Sequence, residues 1–407
     1  MIMDNSVPVA GSSQSATAVD HGVLFGDGPT VATKPLRAEV SRIPRSVEDI
    51  TTHWLNAVLK PHLAGCQVLG SQVKPFSEPG QTADIVDISL VYDSSCCTLP
   101  TRMIAKLAAS DPDTREMCRT FRHYERETAF YENFRAEDLP FARCFHSQFD
   151  PESYDAVILM EHLEPSYSPS YSISLDQVRL AVHEVAKLHA RWWNADFVKR
   201  QTALVQLDDR NYWRSAADGG EAAITRVEQL VGDACPASVN AMRIFAEHCE
   251  DIMTFIMARP FTLMHSDYHA KQMFFPNEYD EGKFAIIDFQ FSVAGPGAFD
   301  VSRLVNLGMT TSARRKNQAQ IFSDYLSQLE RLGVTDYDLG AFLIDHKLGV
   351  LFTQLINFIA IAQTDEKLLD QECREHGLDW KEVWLTRGEA MMRELDVPDF
   401  LRSIHPT

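Results

Sequence analysis

The chain has 407 residues, of which 45% are hydrophobic and 23% are charged, as in an ordinary soluble globular protein. Its net charge of −19 at pH 7 argues against sequence-independent binding to nucleic acid and against docking on an anionic membrane, because both need a cationic surface. The same charge favours a small substrate that is neutral or cationic.

The cysteine pattern and the N-terminal composition bound the environment of the protein. Eight cysteines without regular spacing do not form a disulfide framework. We therefore expect reduced thiols and a cytoplasmic protein, since no signal-peptide pattern is apparent. Residues 1–35 show few periodic apolar positions and predict a flexible extension. Residues 348–362 are apolar but too short and too polar to span a membrane, and predict a buried helix.

The first folded segment reads as one helix followed by strands. Residues 46–63 carry an apolar face at helical spacing. From residue 68 the apolar period changes to two, and residues 86–92 alternate as in a half-buried strand. The turn at 77–82 lies between two strands, where backbone N–H groups and hydroxyls are able to face a phosphate. An ordinary hairpin is the alternative for that turn.

A lysine and a glutamate lie inside otherwise apolar segments. Lys106 sits in a predicted strand over residues 101–108, where it must find a partner or reach water. Helical periodicity over residues 120–134 puts Glu127 in the middle of the apolar face. A buried carboxylate is costly unless it is paired, so Lys106 is the simplest partner for Glu127. The alternatives are a lysine at a strand edge and a glutamate satisfied by local backbone or water.

The rest of the chain is mainly helical. A strand over residues 154–160 is followed by a loop rich in Ser, Pro and Tyr. A capping box at residues 174–177 then begins a helix that runs to about residue 193. Later helices are predicted over these segments: 222–257, 301–309, 311–332, 337–362 and 365–395. The order predicts an α+β protein in which strands with one helix precede a helical half.

Two aspartates lie just past short apolar segments, 21 residues apart. Asp267 follows residues 261–264, and Asp288 follows residues 284–287. A hairpin-like return of the chain would bring both carboxylates to one rim. Phosphoryl transfer needs one carboxylate at the attacking group and a second carboxylate, with an amide or other oxygen ligand, to hold Mg²⁺. Gln272 supplies such an amide five residues after Asp267. Asp300 is predicted to cap the helix that follows.

Three motifs in this region resemble those of the aminoglycoside phosphotransferase and choline kinase superfamily. H-S-D-Y-H-A-K-Q, residues 265–272, resembles its H-G-D-x-x-x-x-N catalytic loop. I-I-D-F-Q, residues 286–290, resembles its metal-binding D-[WF]-[QE], and G-P-G-A-F-D, residues 295–300, resembles the segment that follows. The ecdysteroid kinase-like branch is the nearest. Ser266 replaces the usual Gly, and Gln272 stands where the metal-binding Asn is expected.

The resemblance implies a two-lobed protein-kinase-like fold. Residues 1–35 would be a flexible extension, residues 36–162 a small nucleotide-binding lobe with a β-sheet and one key helix, and residues 163–407 a large, mostly helical catalytic and substrate-binding lobe. It also implies ATP and Mg²⁺ as cofactors. The activity implied is transfer of the γ-phosphoryl group to a small metabolite, at a hydroxyl.

The resemblance assigns roles to individual residues. Asp267 would be the catalytic base or would orient the nucleophile, and Gln272 and Asp288 would hold Mg²⁺. Lys106, aligned by Glu127, would neutralise phosphate oxygens. The candidate nucleotide-binding residues are Gly80, Gln81 and Thr82 in the covering loop, Lys106, Glu127, and Glu161, His162 and Leu163 at the adenine.

Two other functions remain open. Ser266 and Gln272 fit a degenerate kinase fold that binds nucleotide without turnover. Alternatively, His265, Asp267 and His269 would be transition-metal ligands in a metal-dependent hydrolase. No companion ligand motif accompanies these three residues in the sequence.

Overall fold

A computed structural model describes residues 42–76, 82–94, 97–134, 136, 138–279 and 281–404. The expected extension at residues 1–35 and the loop residues Gly80 and Gln81 lie outside the described residues. The helix predicted at 46–63 is shorter in the structure. A 3₁₀ turn at Val47–Asp49 precedes helix α1 (Thr52–Leu59). Thr51 interrupts the two because its extended backbone and its hydroxyl cap α1.

The first lobe is built on one antiparallel sheet. Its strands are β1 (Val68–Pro75), β2 (Ala83–Tyr92), β3 (Arg102–Ala108), β4 (Cys144–Asp150) and β5 (Asp155–Glu161), in the spatial order β1-β2-β3-β5-β4. One face of β3, with Met103, Ala105 and Leu107, is buried in a core that also contains α1. Because side chains alternate along a strand, Lys106 projects from the opposite face.

Two helices cross between β3 and β4. They are α2 (Pro112–Thr120) and α3 (His123–Asn133). The single helix predicted over residues 120–134 therefore begins three residues late. Arg122 adopts a left-handed conformation, with φ of 58°, which ends one helical run and starts the next in a new direction. This break places the start of α3 at the lobe boundary.

The second lobe is almost wholly helical. Its helices are α4 (Leu175–Arg191), α5 (Asp196–Lys199), α6 (Arg210–Val231), α7 (Pro236–Glu247), α8 (Cys249–Met257), α9 (Ala298–Gly308), α10 (Thr311–Arg331), α11 (Leu339–Gln363), α12 (Glu366–Arg374), α13 (Arg387–Glu394) and α14 (Val397–Ile404). In the described part of the chain, α11 is long and apolar enough to cross a membrane, but 61% of its most apolar window is buried inside the protein. It packs against α6, α7, α9 and α13 at the centre of the lobe.

Two short strand pairs interrupt the helices. β6 (Thr262–Met264) pairs with β9 (Val293–Gly295), and β7 (Met273–Phe274) pairs with β8 (Ala285–Ile286), both antiparallel. The architecture confirms the predicted α+β fold, with a small sheet lobe carrying one key helix and a large helical lobe. The strand pairs matter for function because each one ends at a loop that carries an aspartate.

Candidate active site

The loops that carry Asp267 and Asp288 are bonded to each other. The Ile287 N–H donates to the Gln272 carbonyl at 3.0 Å. His265 Nε2 lies 2.8 Å from the Ile287 carbonyl oxygen and donates to it. Pairing of β7 with β8 therefore brings the two predicted carboxylates to one rim of the helical lobe.

Asp300 fixes the start of the first loop. Its two carboxylate oxygens accept the N–H groups of His265 and Ser266, each at 2.8 Å, and its side chain is fully buried. His189 Nε2 lies 3.1 Å from the same carboxylate. The prediction that Asp300 caps the following helix is wrong: α9 begins at Ala298, with Gly297 at its N-cap. The carboxylate is used by the loop instead.

Ser266 occupies a backbone conformation that favours glycine. Its φ is 67°, in the left-handed region, where a side chain is costly by roughly 1 kcal/mol. The hydrogen bond from its N–H to Asp300 holds this conformation. Ser266 therefore adopts the left-handed conformation that glycine would favour at this position.

Asp267 is buried and surrounded by donors. Arg303 lies with Nε at 2.8 Å and Nη2 at 2.6 Å from Oδ1. Gln272 Nε2 donates to Oδ2 at 3.1 Å, and His269 Nε2 lies 3.3 Å from the same oxygen. Burial acts to raise the pKa of Asp267, but His269 and Arg303 hold it well below its usual range. The carboxylate is therefore ionised and fixed in orientation.

Lys106 bridges the two lobes. Its Nζ lies 2.6 Å from Glu127 Oε2 on α3 and 2.6 Å from Asp288 Oδ1 in the helical lobe. Burial acts to lower the pKa of Lys106, but the two carboxylates raise it above its ordinary value. Burial, opposed by Lys106 and reinforced by Asp288, raises the pKa of Glu127 to about 7. The ammonium is therefore charged and shared by two acids.

Asp288 is itself held in a left-handed conformation, with φ of 67° and ψ of 59°. Gln290 Nε2 donates to Asp288 Oδ2 at 3.3 Å. The Thr82 hydroxyl at the start of β2 donates to Gln290 Oε1 at 2.9 Å. Thr82 thus lies at the same cleft as Lys106, and a second contact joins the lobes there.

The three residues assigned to adenine lie at the end of β5. The register pairs Lys106 with Ile158 and Met103 with Glu161, so Glu161 lies three residues along β3 from Lys106, or about 10 Å. Glu161 Oε1 accepts from Lys283 Nζ at 2.6 Å. The structure therefore places Lys106 and Glu161 at separate positions along two neighbouring strands rather than in one cluster.

The residues that follow Glu161 make local hydrogen bonds. His162 Nδ1 accepts from the Glu164 N–H at 3.2 Å, and burial together with Arg102 lowers the pKa of His162. The Leu163 carbonyl accepts from the Ser166 N–H at 2.9 Å. These bonds fix the chain where it passes from the sheet lobe to the helical lobe.

Sequence reasoning gave no role to Arg303 or Gln290, although each touches a candidate catalytic aspartate. A signal for Arg303 was present, because it lies three residues after Asp300 in α9, whose residues are all buried. A buried guanidinium needs a partner, and Asp267 provides it. For Gln290 the signal was its place two residues after Asp288 in D-F-Q.

The donor set fits a magnesium ion. Mg²⁺ in nucleotide sites takes oxygen ligands from one or two carboxylates together with phosphate oxygens. Asp288 offers a carboxylate on the cleft. Gln272 uses its Nε2 toward Asp267, so Oε1 is the amide atom available to a cation.

The comparison with solved structures finds similar chains among kinases and phosphotransferases. Plasmodium vivax ethanolamine kinase is 12% identical with a TM-score of 0.48, covering 88% of this chain and 89% of the other. Choline kinase LicA of Streptococcus pneumoniae is 13% identical with a TM-score of 0.48, covering 86% and 98%. A spectinomycin phosphotransferase in complex with ADP and spectinomycin is 14% identical with a TM-score of 0.44, covering 85% and 99%.

The comparison with curated proteins found no match. A family model, by contrast, matches residues 82–335, more than half of the chain. The matched segment begins at Thr82 and includes Lys106, Glu127 and both loops that carry Asp267 and Asp288. By that match the chain belongs to the ecdysteroid kinase-like family.

Proposed function

We propose that the protein is an ATP-dependent phosphotransferase that moves the γ-phosphoryl group to a small metabolite, at a hydroxyl. The observation that carries the proposal is the meeting of Lys106, Glu127 and Asp288 from two lobes at 2.6 Å, beside the Asp267 loop. Membership of a kinase-like family supports it.

The cleft residues divide the work of binding nucleotide. Lys106, held by Glu127, gives its charge to nonbridging phosphate oxygens, and the Oδ1 atom of Asp288 is then released for the cation. Gln272 provides a second oxygen for that cation. When bound, magnesium–ATP supplies the phosphoryl group, and the cation offsets the charge on its oxygens. Thr82 borders the phosphates, and residues 161–163 face the adenine.

Asp267 acts mainly by position. Its low pKa makes it a weak base, so it accepts a hydrogen bond from the acceptor hydroxyl and takes the proton as the bond to phosphorus forms. Arg303, His269 and Gln272 fix both carboxylate oxygens, which sets the direction of that hydrogen bond. Catalysis therefore rests on orientation and charge neutralisation.

The direct test is Asp267→Asn. The amide cannot take the proton and is not anionic, so turnover should fall by about 10²- to 10⁴-fold while ATP binding is kept. Turnover is measured as ADP release, and binding by calorimetry. Asp324→Asn, in a surface ion pair with Arg179, is the matched control. Near-normal phosphorylation by Asp267→Asn would contradict the assigned role.

A nucleotide-binding protein without turnover is the second candidate. Both oxygens of Asp288 are engaged within the protein, by Lys106 and by Gln290, which favours a cleft that binds without reacting. The discriminating measurement is ADP release with a panel of metabolites, with and without Mg²⁺. No phosphorylation across the panel, together with ATP binding that Mg²⁺ does not tighten, would support this candidate over the first.

The geometry disfavours the metal-dependent hydrolase. His265 Nε2 donates to the Ile287 carbonyl at 2.8 Å, and its Nδ1 accepts the Asp267 N–H at 3.3 Å. Both ring nitrogens are thus engaged with backbone and none is left for a metal. Within the described ranges there is also no group of three or more His, Cys, Asp and Glu residues that could hold an ion. Stoichiometric zinc or manganese in purified protein would argue for the hydrolase.

We propose further that the protein works in the cytoplasm on a neutral or cationic acceptor, as its net charge favours. Amino alcohols, sugars, aminoglycosides and sterol-like alcohols are the acceptor classes to test. Mass spectrometry of reactions with ATP and each candidate, read as a gain of one phosphoryl group, identifies the acceptor.

A further inference from the structure

Two basic side chains at the start of α3 are buried without an acidic partner. Arg126 is 1% exposed and His123 is 2% exposed. Arg126 Nη2 donates to the Phe121 carbonyl, but its Nε has no hydrogen-bond partner, and neither ring nitrogen of His123 has one. Among the described residues no carboxylate pairs with Arg126. Buried guanidinium groups are normally paired, so this arrangement calls for an anion.

The helix terminus points to the same conclusion. α3 has 11 residues, and its N-cap residue, Arg122, makes no side-chain cap. The first N–H groups of an α-helix have no partner within the helix, and they carry the positive end of its dipole. The Nη2 contact with Phe121, two residues before the helix begins, shows that the Arg126 guanidinium folds back to this end. The first helix N–H groups, the Arg126 guanidinium and the imidazole of His123, which is the first residue of α3, therefore lie at the same end of the helix.

The cluster borders the catalytic cleft. The His123 ring lies 4.7 Å from the ring of Phe291, which is three residues past Asp288. The Arg126 guanidinium lies 5.6 Å from the ring of Tyr212 on α6 and 5.8 Å from that of Phe291. These aromatic faces shield the guanidinium from water without neutralising it.

His123 is electrically neutral in this setting. Burial, with the charges of Arg126 and Lys106, lowers the pKa of His123 well below its ordinary value, against a smaller opposing effect of Asp267. A neutral imidazole keeps one N–H to donate.

We propose that His123, Arg126 and the first N–H groups of α3 form a binding site for a phosphate group. The planar guanidinium fork and helix N–H groups are the donors that bind phosphate best in proteins. The inference goes beyond the proposed function, which assigns the nucleotide phosphates to Lys106 and Thr82. The phosphate comes either from the γ-position of a bound nucleotide or from free phosphate in solution.

The test measures binding of inorganic phosphate by calorimetry at constant ionic strength, with chloride as reference and without turnover. Wild type should bind phosphate, and Arg126→Gln should raise the Kd for phosphate by about tenfold or more, since a charge-assisted contact is lost. Arg119→Gln, on α2, 46% exposed and paired with Glu116, is the matched control and should change little. Arg126→Lys retains charge without the fork, should also bind more weakly, and serves if the Gln variant fails to fold.

Repeating the titration with nucleotide separates the two sources. If a non-hydrolysable ATP analogue excludes phosphate but ADP does not, the site holds the γ-phosphoryl position. If neither excludes it, the site takes free phosphate. The proposal is overturned if wild type prefers phosphate no more than chloride, or if folded Arg126 variants bind phosphate as wild type does. Because no step needs turnover, an inactive enzyme would leave these readings unchanged.

Discussion

The side-chain amide of Gln272 has two roles in the proposed site, one toward Asp267 and one toward the cation. Its Nε2 donates to Asp267 at 3.1 Å, so its Oε1 is the atom left for a cation. In the proposed site, the amide thereby ties the orientation of the Asp267 carboxylate to the position of the cation. A change at Gln272 should alter both the turnover rate and its dependence on magnesium.

Gln272→Ala removes both contacts and should lower turnover by about 10- to 100-fold, the loss typical when a partner of a metal site is removed, and should raise the Mg²⁺ concentration needed for half-maximal rate. Gln272→Asn keeps the amide on a shorter stem and should retain or raise activity. Both effects are read from initial rates across a magnesium series. An Ala variant with the magnesium dependence of wild type would show that Gln272 is not a ligand.

For single residues, the sequence indicates which side chains belong to the candidate site better than it indicates their backbone conformation. Lys106, Glu127, Asp267 and Asp288 stand out because charged groups in apolar segments or after them require a purpose. The left-handed backbone of Ser266 carries no local signal, because it depends on a bond to Asp300, which is 34 residues away. The catalytic roles of the four charged residues named above stay predictions.

A π-helical turn at Glu382–Thr386 forms one end of a buried polar chain that reaches Asp267. Carbonyl groups in such a turn are displaced from ordinary helical bonding. The Trp384 carbonyl accepts from Asn357 Nδ2 on α11 at 2.8 Å. Asn357 Oδ1 in turn accepts from Arg303 Nη1 at 3.3 Å, and Arg303 holds Asp267. Three elements of the helical lobe therefore support one carboxylate.

Asn357→Leu should lower turnover by roughly tenfold with ATP binding unchanged, because Arg303 loses its second anchor while the nucleotide cleft is untouched. It should also destabilise the fold by about 1–3 kcal/mol, since the Trp384 carbonyl is left unpaired. Rates and urea unfolding measure the two effects.

Asn306→Leu, one turn after Arg303 in α9, is the control. Its amide is fully buried, and neither amide atom has a hydrogen-bond partner among the described residues, so an apolar replacement should be neutral or stabilising and should leave turnover unchanged. Equal loss of activity in both variants would mean that packing, not the polar chain, supports Asp267.

Elements with strong periodicity could be predicted from the sequence, and their junctions could not. The alternation of β2 and the capping box of α4 are local patterns. The break at Arg122 and the π-helical turn arise from contacts with distant segments, such as the bond from Arg122 Nη2 to the Thr202 carbonyl at 2.7 Å. The candidate phosphate site depends on that break.

Across the whole molecule, buried neutral histidines tie stability to pH. His346 on α11 is 1% exposed, and its Nδ1 lies 2.7 Å from the Ser302 hydroxyl. Burial and the charge of Arg314 lower the pKa of His346 to about 3 from its ordinary 6.5. The unfolded chain takes up this proton below pH 6.5, whereas the folded chain does not until near pH 3. The stability is therefore intact above pH 6.5 and is lost progressively as pH falls toward 3.

His346→Gln should remove about 2 kcal/mol of the stability that wild type loses between pH 7 and pH 5, because the group no longer titrates. Urea unfolding at the two pH values gives this difference directly. His183→Gln, at a ring that is 45% exposed on α4, is the control. A His346 variant with an unaltered loss would show that acid acts elsewhere.

The bonds from Lys106 to Asp288 and from Thr82 to Gln290 hold the sheet lobe against the helical lobe. In the proposed function, an arriving nucleotide exchanges these bonds for its own contacts, so the protein competes with the nucleotide for the same atoms. The rate of nucleotide association should therefore level off at high nucleotide concentration. The limiting value is the rate at which the bonds from Lys106 to Asp288 and from Thr82 to Gln290 open. Substitutions at Thr82 and Gln290 would change this opening rate without altering the residues proposed to contact the transferred phosphoryl group.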